Sequence, residues 1–154
     1  MNDPHSSSVR EASQAADPPW DIFADRIDAF AAAWDGAVTA GVDPPRLDAF
    51  LADLDATAAR QLAVELAKLD IERRWQQNRQ PQHIEWYLQQ YPLLAPIAKL
   101  PVDLIYEELQ ARMAAGLPVY QEEVMQRFPG QAQSLLQLLG GMALSGSPTA
   151  TYYG

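Results

Sequence analysis

Apolar residues recur through the middle of the chain at helical spacing. Phe23, Ile27, Phe30 and Trp34 follow one another by four, three and four positions, which places all four on one face of a first helix. Leu62, Leu66, Leu69 and Trp75 mark a second long helix. Val102, Ile105, Leu109 and Met113 mark a third, opened by Pro101 in the first-turn position and closed by Gly116. No stretch combines strict alternation with β-branched enrichment, so the pattern predicts an all-α bundle without a sheet. Both ends lose the period. Residues 1–19, rich in Ser, Ala, Asp and Pro, read as a disordered arm, and 20–140 as the helical domain. A terminal helix is expected near Gln131 to Leu139, closed by Gly140-Gly141, with 141–154 as a flexible linker.

The polar positions reveal a repeat. Segments starting at Pro44, Pro81 and Pro118 align without gaps at a step of 37 residues. Each has an acid fifth (Asp48, Glu85, Glu122) and apolar residues seventh and eighth (Phe50 and Leu51, Tyr87 and Leu88, Val124 and Met125). An apolar or aromatic residue stands eleventh (Leu54, Tyr91, Phe128). Proline suits a helix start and the acid complements the positive end of the macrodipole, so each segment predicts a short helix behind a turn. With the long helix before it, the unit is long helix, turn, short helix, and such units bury their apolar stripes by stacking. Upstream the register slips: Trp34 precedes Pro44 by ten residues, but Trp75 precedes Pro81 by six.

Composition narrows the function classes. A chain of 154 residues with 48% apolar content suits one ordinary domain. It has no cysteine, which removes disulfides and thiolate sites and suits a reducing compartment, here the cytoplasm. No export signal or membrane-spanning run is evident, so no membrane association is expected. The net charge of −9, from 20 acidic and 11 basic residues, opposes nucleic acid. The alternative to that reading is the strip Lys68 to Arg79, where Lys68, Arg73, Arg74 and Arg79 lie near Trp75. A basic strip with an aromatic is the chemistry that touches RNA, and it is also the ordinary solvated face of an amphipathic helix.

Candidate chemistry is sparse. His83 stands at a helix start, where a histidine reads as a surface or capping residue. The pairs Glu107-Glu108 and Glu122-Glu123 diverge around their helices and read as solvated carboxylates. There is no glycine-rich phosphate loop, and the aromatics fall on apolar faces, so no catalytic, cofactor-binding or metal-binding residue is assigned and no enzyme activity is expected. Trp75 and Leu109 are expected in the core.

The runs LAVELAKLDIERRWQQNRQP (62–81) and LPVDLIYEELQARMAAGLP with QEEVMQRFP (100–129) resemble the region preceding the catalytic domain in planctomycete-type bacterial serine/threonine protein kinases. FAAAW and PPRLDAFLADL (30–54) resemble its opening, so the likeness covers roughly residues 28–140. The kinase signatures are absent, and no catalytic residue carries over. The resemblance implies an accessory region of a signalling kinase, or a free-standing or truncated relative, with a role in interaction or regulation. If each short helix turns its apolar face inward, Glu85, Gln89, Glu122 and Gln126 look outward as an acidic, amide-rich surface. That surface suits a protein partner, for which the resemblance implies the kinase domain. Ser145, Ser147, Thr149 and Thr151 in the tail read as linker hydroxyls that such a kinase would have within reach.

Overall fold

A computed structural model of the chain describes residues 20–140; the arm 1–19 and the tail 141–154, with Ser145, Ser147, Thr149 and Thr151, lie outside the described residues. Six α-helices and three 3-10 turns make up the described part, and no strand occurs in it. Helix α1 is Trp20–Ala40, α2 Ala56–Gln76, α3 Ile84–Gln90, α4 Val102–Ala114, α5 Gln121–Arg127 and α6 Ala132–Leu139. The 3-10 turns are Leu47–Phe50, Pro92–Leu94 and Ile97–Lys99. The fold is all-α. The chain forms two compact units, one through Leu62 and one from Ala63 onward.

In the first unit, Phe23, Phe30 and Trp34 of α1 are fully buried, as the period predicts, whereas Ile27 is half-buried. The Phe30 and Phe50 rings meet edge to face with centroids 5.2 Å apart. The first of the three expected short helices is reduced to the single turn Leu47–Phe50. Its carbonyls explain why. Arg26 Nη1 donates to the Phe50 carbonyl at 2.9 Å and to the Ala52 carbonyl at 2.5 Å, so a side chain satisfies acceptors that a longer helix gives to its own amides. Asp53 then takes a left-handed φ of 66°, which ends any helix. Asp55 restarts the chain as the cap of α2, its Oδ1 accepting the Ala58 amide at 2.8 Å.

In the second unit the core includes Leu66, Ile71, Ile84, Tyr87, Leu94, Leu104, Ile105, Leu109, Val124, Phe128, Leu135 and Leu139. Leu109 is fully buried as expected. Trp75 is not: it is half-buried, because its indole Nε1 donates to the Gln82 carbonyl at 3.1 Å and so holds the ring at the helix margin. Ile71, one turn earlier, fills the core position instead. Met125, expected on the apolar face of α5, is 51% exposed, since Val124 and Phe128 already occupy that face.

The three long helices stop in the same way. Gly41, Asn78 and Gly116 adopt left-handed φ values of 68°, 51° and 82°. The following amides, of Val42, Arg79 and Leu117, return to the carbonyls of Ala37, Arg74 and Arg112 at 3.0, 2.9 and 3.0 Å. This is the Schellman arrangement, and Gly or Asn is the residue type that tolerates it. Each stop redirects the chain into the segment carrying a 3-10 turn or short helix.

Candidate functional site

The short helices α3 and α5 owe their placement to two charged clusters. The first ties α3 to α2: Asp70, almost fully buried, accepts from Arg74 Nε at 2.7 Å and from the Tyr87 hydroxyl at 2.6 Å. Arg74 also donates to the Gln80 carbonyl at 3.0 Å and lies 4.8 Å from the centre of the Trp86 ring. Burial, followed by the Asp70 charge, pushes the Tyr87 phenol well above its ordinary pKa, so it stays protonated as a donor.

The second cluster centres on Glu108, whose side chain is fully enclosed. Its Oε1 accepts the Ile84 amide at 2.8 Å, satisfying an orphan donor in the first turn of α3. Arg127 of α5 donates to both Glu108 oxygens, at 2.6 and 3.2 Å, and grips Glu85 of α3 with two further bonds of 2.7 and 2.9 Å. Arg127 Nη1 reaches Glu123 at 2.6 Å, and Arg112 bridges Glu123, Glu108 (3.4 Å) and the Pro118 carbonyl (2.9 Å). Burial alone raises a carboxyl pKa, but the His83 contact and the bonds and charge of Arg127 outweigh it and hold Glu108 at about 2. Against the same opposing burial, Arg127 lowers Glu85, and Arg112 with Arg127 lowers Glu123.

This overturns the reading of Glu107-Glu108 and Glu122-Glu123 as solvated pairs: Glu108 is internal and Glu123 half-buried, while Glu122 is exposed. Adjacent residues on a helix point about 100° apart, so one member of each pair faces inward. The missed signal was the acid followed four residues later by arginine, as in Asp70 with Arg74 and Glu108 with Arg112. Both pairs close as ion pairs near helix ends, where cations also meet the helix dipole favourably.

The four expected surface residues are placed as follows. Glu85, Gln89, Glu122 and Gln126 are all exposed, the first two on one face of α3 and the last two on one face of α5. Glu85 and Gln89 also line an open cleft of about 580 Å³, together with His83, Trp86, Arg112 and Arg127. Glu85 differs from the other three in that its carboxylate is committed to Arg127. His83 is an exposed residue at the α3 N-cap position, its Nδ1 3.5 Å from Glu108. No group of three or more His, Asp or Glu residues is arranged to hold a metal ion among the described residues.

No protein-family model, curated protein or solved structure matches this chain. Its own geometry therefore carries the functional reading. Of the strip Lys68 to Arg79, Lys68 is shared between Glu65 (2.9 Å) and Asp103 (2.6 Å), and Arg74 is buried in the Asp70 cluster. Those two cations are engaged internally, which weakens the strip as a phosphate-binding surface.

Proposed function

We propose that this chain is a non-catalytic protein-interaction or regulatory module of the kind that precedes the catalytic domain in planctomycete-type bacterial serine/threonine kinases. It acts in the cytoplasm on a protein partner, the kinase domain itself. The observation that carries this reading is the outward face of α3 and α5. Gln89, Glu122 and Gln126 are exposed on helices whose opposite faces are fixed by Tyr87, Val124 and the Arg127 junction, so a polar, net acidic surface is presented on a rigid backing. The module is built on a repeated unit. In support, Trp34, Ile71 and Leu109 each stand seven residues before the left-handed stop, Phe30, Ala67 and Ile105 each eleven before it, and all six are fully buried. On this alignment Trp34 corresponds to Ile71 rather than to Trp75, with steps of 37 and 38 residues between the stops. The position of Arg74 and Arg112 is held by Ala37 in the first unit, where the short helix shrinks to one turn.

The test is capture from a lysate of the source cells, with Gln89→Lys, Glu122→Lys and Gln126→Lys combined in one variant. Glu85 is left intact because reversing it breaks its pair with Arg127. A serine/threonine kinase domain retained by the wild type and lost by the variant is the expected result. Equal capture by both, or capture of nucleic acid by the wild type, contradicts the reading.

A further inference from the structure

The C-terminal halves of α2 and α4 leave between them a groove of about 520 Å³. Trp75 forms one wall, fixed by its bond to the Gln82 carbonyl and by an edge contact with His83 at 5.9 Å between centroids. Ala111 and Ala114 contribute methyl groups, and Glu72 and Glu107 enter from the two helices. The two carboxyls are close enough for the Glu72 charge to act on Glu107. Among the described residues, neither forms an ion pair with a cation within 4 Å. By contrast, Glu65, Asp70, Glu85, Asp103, Glu108 and Glu123 of the same unit each hold a lysine or arginine. Lys68 acts on Glu107 at longer range but is already shared by Glu65 and Asp103.

The groove is therefore short of a positive charge. Burial and then the neighbouring Glu72 charge push the Glu107 pKa up, the response of a carboxylate lacking a cation. Both helices also end at the groove, through Gln76 and Ala114, and helix C-termini add partial negative charge there. Two carboxylates without a third ligand make a poor cage for a divalent ion. An indole wall beside methyl groups instead suits a flat, weakly hydrated cation on an alkyl stem.

We propose that this groove docks an arginine side chain of a partner protein, its guanidinium held between Glu72 and Glu107 against the Trp75 ring. The site is separate from the short-helix surface, since Glu85, Gln89, Glu122 and Gln126 do not line it.

The experiment is an NMR titration of the full chain that follows the assigned Trp75 indole N–H. The probe is an alanine-based, end-capped helical peptide bearing one arginine, compared with the same peptide bearing citrulline. The arginine peptide is expected to shift the Trp75 signal saturably at low ionic strength, and the citrulline peptide to bind about threefold to tenfold more weakly, the loss expected when ion pairs to two partly exposed carboxylates are removed. Glu72→Gln with Glu107→Gln is expected to weaken the arginine peptide by a similar factor without lowering Tm, because a like-charge pair is removed. Asp25→Asn with Asp28→Asn, which removes equal charge from two exposed positions of α1, is expected to leave affinity within about twofold. Failure of the arginine peptide to shift Trp75, equal binding of the citrulline peptide, or equal losses in the two double variants would overturn the proposal. So would a magnesium-induced shift that blocks the peptide, which would assign the groove to a metal ion.

Discussion

Glu108 of α4 ties both short helices, α3 and α5, to its own helix. It is fully enclosed, holds the first turn of α3 through the Ile84 amide, and holds α5 through Arg127. Truncation to Ala leaves Arg127 and Arg112 partly buried with one acceptor fewer. We predict a loss of about 3–5 kcal/mol in denaturant-derived stability, the range for breaking a buried ion pair from one side. Its pKa gives the pH dependence. The folded value of about 2 lies below the ordinary 4.5, so the stabilisation is complete above about pH 4.5 and is lost as pH falls toward 2. By linkage the contribution is about 3 kcal/mol, and Glu108→Gln is expected to flatten the acid limb of a stability-versus-pH curve in that window. An acid limb unchanged by the substitution would place the titration elsewhere. Among apolar residues, Leu109→Ala is expected to cost about 2–5 kcal/mol. Trp75→Ala is expected to cost less than Leu109→Ala, since half-burial returns less apolar area to water. The reverse order in measured denaturant midpoints would return Trp75 to the core.

At the scale of elements, the stops matter as much as the stripes. Gly116 has open space where a Cβ would go, so Gly116→Ala is expected to cost only the left-handed backbone penalty, about 1–2 kcal/mol. Asn78→Gly, at the equivalent stop of α2, is expected to be neutral within about 0.5 kcal/mol, because both residues tolerate that region. Thermal melts of the two variants check the pair, and a larger loss from Asn78→Gly would assign its side chain a structural bond. Much of this architecture was legible in the sequence: Phe30, Trp34, Ile105 and Leu109 announced the long helices by period, and Pro81 and Pro118 announced the segments that carry α3 and α5. Less legible was the depth of the charged residues. Helical period says which residues share a face, but only tertiary packing decides whether Glu108 or Glu107 turns inward, and Arg26, two dozen residues away, is what shortens the first short helix.

For the molecule as a whole, the net charge of −9 coexists with a second unit whose core-facing acids are neutralised internally. The uncompensated charge is thereby displaced to surfaces, among them Glu122 on α5 and the Glu72–Glu107 pair, and these are where a basic partner gains most by contact. No helix among the described residues is long and apolar enough to cross a membrane. The short-helix face is the centre of the functional account, and an affinity tests it most directly. Calorimetric titration of the kinase domain proposed as the partner into the wild type and into the combined Gln89→Lys, Glu122→Lys, Gln126→Lys variant, at matched Tm, is predicted to show affinity weakened at least about tenfold in the variant. Equal affinities would contradict the account, because they would move the binding surface off α3 and α5.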